Sequence, residues 1–162
     1  MARIPDRFDL WVRKARECGD PVRRVDLVLG SLVALGDWYF FNQGSKQKPQ
    51  VAEVEMEQGR YVLVFSDAGR IGEMLDEAGR GRDGEKVIAI PTIAAMAWCL
   101  EREAEGYAGL LVNPGDYAVH VPMEQLRVFE DDWKKRGARE ASGFWIPNLT
   151  TEEEDFWQEN GL

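Results

Sequence analysis

The sequence predicts a single α+β domain, in which a mixed sheet of about five strands packs against helices and follows an N-terminal helical hairpin. Two segments with helical spacing of apolar residues open the chain. Strand-like segments then occur both as hairpins and as units separated by helices, which favours a mixed sheet. With 162 residues, of which 44% are hydrophobic and 30% charged, the chain can bury its own core without a disulfide or a metal ion.

The two N-terminal helices are predicted from their apolar stripes and from the residues that bound them. The first stripe ends before Gly19. Asp20 and Pro21 then have the character of an N-cap and a first-turn proline, and the second stripe ends at Gly36. Residues 1–36 are therefore predicted to form an antiparallel helical hairpin.

The strands are predicted from alternating or unbroken apolar runs. Residues 51–57 alternate strictly, which predicts a half-buried strand, whereas the unbroken apolar run 61–65 predicts a central strand. Asn113-Pro114-Gly115-Asp116 predicts a tight turn between the last two strands. The strand-like segments are 38–41, 51–57, 61–65, 87–90, 110–112 and 117–121.

Three helices are predicted among and after these strands. Ser66 or Asp67 is the expected N-cap of the first. Pro91 opens the second, which places Ile93 on the predicted buried stripe. The third spans about 123–135.

Charge divides the chain into three regions. Basic and acidic groups number 7 and 5 in residues 1–36, 12 and 18 in residues 37–136, and 1 and 6 in residues 137–162. We expect residues 37–136 to form the α+β body and the acidic tail to pack on it. Thr151 and Glu154 have capping-box spacing for a short last helix. The formal charge of −9 argues against nucleic acid as a partner, because the surface would repel a polyanion.

Neither a membrane nor an oxidising compartment is indicated. No apolar run approaches the roughly 20 residues that cross a bilayer, and residues 1–10 lack the apolar stretch of a signal peptide. We therefore expect a cytoplasmic protein with no membrane partner. Cys18 and Cys99 lie far apart without CxxC spacing and are predicted to be reduced, buried thiols. No metal ion or cofactor is expected.

Residues 79–84 match the pattern GxGxxG, which in dinucleotide-binding proteins follows a strand and opens a helix. Here the glycines follow a predicted helix and lead into a predicted strand. The segment is therefore interpreted as a flexible exposed loop. Arg80 and Arg82 give it a second interpretation, a weak anion site, because guanidinium groups bind phosphate and carboxylate.

Catalytic patterns are lacking in the sequence. His120 is the only histidine, and no motif places a nucleophile or metal ligand beside it. The acidic runs 130–132 and 152–155 are consecutive along predicted helices, so neighbouring carboxylates point in different directions. We therefore expect a protein that is not an enzyme.

The tail is rich in aromatic residues. Trp145, Phe156 and Trp157 are interpreted either as packing back over the core or as a surface for self-association or a partner protein. In the second interpretation Glu152 and Glu153 belong to the same surface.

Two stretches resemble the SseB-type N-terminal domain family, which is largely bacterial. They are EQGRYVLVFSD at 57–67, with a glycine turn, a strand, a phenylalanine and a serine cap, and GLLVNPG at 109–115. The resemblance covers roughly residues 38–129 and implies a small α+β domain without established catalytic residues. Residues 1–36 and the tail fall outside it.

The leading functional hypothesis is a non-enzymatic protein-interaction or self-association module, such as a homodimer. One variant is an immunity or inhibitor protein whose acidic surface is steered to a basic partner. The rival is a small-molecule or anion-binding regulatory domain that uses Arg80 and Arg82. A hydrolase using His120 with Cys99 or a nearby carboxylate is a third hypothesis.

Overall fold

A computed structural model describes residues 4–81, 86–135 and 150–160. It confirms the predicted α+β class and the N-terminal helical hairpin. A 3₁₀ turn covers Arg102–Glu105. The other elements, in chain order, are α1 (Arg7–Arg16), α2 (Pro21–Ala34), β1 (Asp37–Phe41), β2 (Glu53–Met56), β3 (Gly59–Val64), α3 (Ala68–Glu77), β4 (Val87–Pro91), α4 (Thr92–Glu101), β5 (Tyr107–Val112), β6 (Val119–Pro122), α5 (Met123–Lys135) and α6 (Thr151–Asn160).

The strands form two sheets. The larger has the order β2-β3-β5-β6, with β3 and β5 parallel and the outer pairs antiparallel. The apolar run in β3 is central, as predicted. β1 and β4 form a separate antiparallel ribbon. Isolated bridges from Tyr39 to Phe65, and from Asn42 just after β1 to Val51, connect this part of the chain to the segments that flank β3 and β2.

Side-chain caps fix where several helices begin. Asp20 accepts from the Val22 amide at the start of α2, and Asp67 accepts from the Arg70 amide at the start of α3. Pro21 occupies the first turn of α2, as predicted.

The predicted capping box of α6 is wrong by one residue. Thr150 Oγ1 accepts from the Glu153 amide at 3.2 Å, and Glu153 Oε1 accepts from the Thr150 amide at 3.2 Å. Two consecutive threonines each precede an acidic residue by three positions, so the pattern allows both registers.

The helical hairpin shares one core with the larger sheet. Trp11 and Leu29 lie in the same cluster of buried side chains as Val64 and Leu110. A smaller cluster under α3 contains Phe41, Phe65, Ile71 and others. Over the part of the chain described, no helix has both the length and the apolar character needed to cross a membrane.

The predicted stripe of α4 is wrong at Ile93, which is 54% exposed. The buried side of this helix is formed by Thr92, Ala95, Met96 and Cys99. The apolar residues of α4 itself occur on almost every side of the helix, so their spacing does not predict which side packs against the core.

Candidate functional site

The acidic helix α6 lies on the N-terminal helical hairpin. The Trp11 ring centroid is 5.5 Å from that of Phe156 and 5.6 Å from that of Trp157. Trp11 is 2% exposed, and its indole nitrogen donates to the Leu27 carbonyl at 2.5 Å. The ring that receives the two tail aromatics is therefore held by the hairpin itself.

Two ion pairs flank these rings. Lys14 Nζ lies 2.6 Å from Glu152 Oε1, and Arg23 Nη2 lies 3.1 Å from Glu153 Oε1. The Lys14 ammonium also lies 5.6 Å from the centroid of the Phe156 ring. We call Trp11, Lys14 and Arg23 the docking face.

The two ion pairs differ in exposure. Glu152 is 80% exposed, so its pair is screened by water. The side chains of Arg23 and Glu153 are 19% and 14% exposed, and their interaction is correspondingly less screened. The hydrogen bond with Lys14 lowers the pKa of Glu152, and the same bond raises the pKa of Lys14.

The structure places four of the predicted surface residues against the hairpin. Phe156 and Trp157 are half-buried against Trp11, whereas Glu152 and Glu153 contact its basic residues. The fifth, Trp145, lies outside the described residues. A patch that the sequence marks as acidic and aromatic is thus engaged within the same chain.

A first cleft, of about 410 Å³, opens where the parallel strands β3 and β5 end. Its lining includes Arg70, Glu73 and the turn between β5 and β6. Asn113 in this turn has a φ of 50°, and its side chain accepts from the Ser66 amide at 2.9 Å and donates to Ser66 Oγ at 3.0 Å. Such a crevice is a common ligand position in α/β sheets.

The guanidinium of Arg70 in this cleft is already engaged. It lies 2.6 Å from Asp9, 2.8 Å from Asp6 and 3.3 Å from Asp67. Arg70 is 8% exposed and Asp9 is 0% exposed. These ion pairs connect the start of α1 to the start of α3, so the guanidinium of Arg70 has a structural role.

Of the two arginines of the predicted anion site, the structure describes only Arg80. Arg80 is exposed, with its guanidinium carbon 5.6 Å from the centroid of the Phe41 ring. Arg82 lies outside the described residues. Gly79 and Gly81 follow α3 with φ values of 69° and 68°, so this glycine segment ends a helix instead of opening one.

His120 is exposed on β6. Its Nε2 lies 3.4 Å from Met56 Sδ, and its ring meets the edge of Tyr61 at 5.6 Å. Within residues 4–81, 86–135 and 150–160 it forms no hydrogen bond to serine, cysteine or carboxylate. Cys99 is buried in α4, where desolvation raises the pKa of its thiol.

Metal-ligating side chains do not converge in the part of the chain that the structure describes. No three or more histidine, cysteine, aspartate or glutamate residues there are placed to hold a metal ion. Comparison with family models, with curated proteins and with solved structures finds no match. The resemblance to SseB-type N-terminal domains therefore stays a prediction.

The docking face is not predicted from the sequence. The basic excess of residues 1–36 and the acidity of the tail are both visible there, but nothing in the sequence pairs them. Opposite charges in two segments that both contain tryptophan were the available signal. The register of the pairing, Lys14 with Glu152 and Arg23 with Glu153, depends on the tertiary fold.

Proposed function

We propose that this protein is a non-enzymatic protein-interaction module that self-associates by exchanging α6 between two copies. The observation that carries the proposal is the seating of an acidic, aromatic helix on a basic face with a buried tryptophan. The ring contacts and the charges on the two sides are complementary. The docking face therefore has the chemistry of a receptor for a second copy's α6.

Exchange requires no surface beyond the one already described. When two copies swap an identical element, each docking face makes the same contacts with the partner's helix as it makes with its own. Residues 136–149, fourteen in number, join α5 to α6. Fourteen residues span at most about 50 Å when extended, which is more than the diameter of a domain of this size.

The balance between the closed monomer and the exchanged dimer is set by concentration. Because α6 belongs to the same chain as its own docking face, that helix is presented at an effective concentration of roughly millimolar order. The monomer is therefore expected to dominate at micromolar protein, and the dimer is expected to grow as the concentration approaches the millimolar range. Both forms bury the same tail aromatics.

Charge reversal can separate the two forms. One variant reverses the docking face, with Lys14→Glu and Arg23→Glu. The other reverses the helix, with Glu152→Lys and Glu153→Arg. Each variant places like charges against each other in the closed form, whereas an equimolar mixture offers two complementary contacts in trans. Sedimentation should give each variant alone a mass near 18.4 kDa and the mixture about twice that mass.

A quadruple variant carrying all four reversals is the matched control. The reversed charges on its α6 are opposite to the reversed charges on its own docking face. Like the variant with Glu152→Lys and Glu153→Arg, it also lacks the Glu153 carboxylate that accepts from the Thr150 amide. We expect its melting temperature to match that of the unmodified chain, whereas each one-sided variant, which loses the docking contacts, should melt at a lower temperature. If the mixture remains monomeric while the quadruple variant is restored, exchange is wrong although docking is right. If the quadruple variant is not restored, the docking contacts themselves are wrong.

A further inference from the structure

A second cleft, of about 310 Å³, lies between the helical hairpin and β6, the edge strand of the larger sheet. Its floor is apolar and includes Val12, Val28 and Val119. Its lining includes Arg16 and Arg24 and neither aspartate nor glutamate; His120 also borders it, but the imidazole contacts Met56 and Tyr61. In a chain with a formal charge of −9, the charged residues that line this cleft are therefore both arginines.

Arg16 is held in place by backbone carbonyls. Its Nη1 donates to the Asp116 carbonyl at 2.8 Å, and its Nη2 donates to the Ala118 carbonyl at 3.1 Å. These bonds orient the guanidinium but supply no counter-charge. Among the described residues no carboxylate forms an ion pair with Arg16.

Arg24, on α2, has an unsatisfied donor. Its Nη2 donates to the Cys18 carbonyl at 2.9 Å, whereas its Nε is buried and has no hydrogen-bond partner. Within the part of the chain described, Arg24 likewise has no carboxylate partner. Neither Arg16 nor Arg24 therefore has a counter-charge among the described residues, and the carboxylate of a ligand would supply one.

We propose that this cleft binds a small organic monocarboxylate with an apolar body. Guanidinium groups match the two oxygens of a carboxylate and donate charge-assisted hydrogen bonds to them. The valine floor would receive the apolar part, and the volume is at the lower end of the range for ligand pockets. The site is distinct from the docking face and does not depend on exchange of α6.

Octanoate is a suitable probe, with 1-octanol as its uncharged counterpart. In NMR titrations, octanoate should shift the methyl signals of Val28 and Val119 in a saturable way, and 1-octanol should bind at least about tenfold more weakly. Arg24→Gln should weaken octanoate about tenfold or more, because a charge-assisted bond is lost. Arg16→Gln, at an exposed position, provides a second test if Arg24→Gln fails to fold.

Arg80→Gln is the matched control, since it removes one positive charge outside the cleft. It should bind octanoate as the unmodified chain does. Equal binding of octanoate and 1-octanol would overturn the proposal, as would retention of affinity in both Arg16→Gln and Arg24→Gln. Loss of binding in Arg80→Gln alone would move the anion site to the glycine loop.

Discussion

Arg70→Met is expected to destabilise the protein strongly, because it removes the guanidinium from a carboxylate with no exposed surface. Asp9 is 0% exposed and lies 2.6 Å from Arg70. The other two partners, Asp6 and Asp67, are 35% and 44% exposed and remain hydrated after the change. The expected loss therefore comes almost entirely from Asp9.

The magnitude follows from that burial. Breaking a buried ion pair by removing one partner costs about 3–5 kcal/mol, whereas exposed pairs contribute about 0–1 kcal/mol each. For a chain of this length, 1 kcal/mol corresponds to about 2–4 °C in melting temperature. Arg70→Met should therefore lower the melting temperature by about 6–20 °C.

Two controls isolate the ion pair. In Asp9→Asn/Arg70→Met neither charge remains, so this double variant should be more stable than Arg70→Met alone. Arg80→Met makes the same substitution at an exposed arginine and should change stability by less than about 0.5 kcal/mol. Urea unfolding at pH 7 measures all three. A loss below about 1 kcal/mol in Arg70→Met, or a double variant that is no more stable, would refute the reasoning.

Two further predictions concern single positions. Gly109→Ala should lower the free energy of unfolding, measured in urea, by about 3 kcal/mol, because the added Cβ would lie 2.2 Å from the Val121 carbonyl oxygen. Gly19→Ala is the control: its added Cβ would meet nothing within 4 Å, so the free energy of unfolding should be nearly unchanged. Asp26→Asn should raise the free energy of unfolding at pH 7 by less than about 1 kcal/mol. In the folded state, desolvation raises the pKa of Asp26 above 3.8; the positive charge of Arg23 opposes this shift, and the negative charge of Asp132 adds to it. The charged form is thus disfavoured by folding, and the gain should fade as the pH falls through the raised pKa of the folded state towards 3.8, and be absent below 3.8. A gain that grows in acid would contradict this.

Local chemistry explains why so much of the fold is readable from the sequence. The N-cap role of Asp20 and the central position of β3 depend on a few neighbouring residues or on one unbroken apolar run, and both agree with the structure. The errors occur where two local patterns fit equally well. Thr150 and Thr151 both suit a capping box, and α4 offers apolar residues on several faces, so only tertiary packing selects between them.

The candidate sites were less predictable because each joins residues far apart in the chain. Lys14 and Glu152 are separated by 138 positions in the sequence, and Asp9 and Arg70 are separated by 61 positions. No periodicity links such residues, whereas the glycine pattern near Arg80 is short and contiguous. A contiguous pattern thus predicts an anion site in a loop, although the described arginines that share a cleft, Arg16 and Arg24, lie on α1 and α2.

Three of the long-range polar contacts described above involve one ten-residue helix, α1, or its N-cap. The start of α1 binds Arg70, its last turn presents Lys14 to α6, and its last residue, Arg16, reaches the turn before β6. Apolar residues on α1, such as Val12, are meanwhile buried in the core. Because the sides of a helix are fixed relative to one another, the cleft and the docking face share a single rigid support. A change that displaces α1 would disturb both sites, whereas substitutions on α6 should disturb only docking, which is why the variants at Glu152 and Glu153 separate the two proposals.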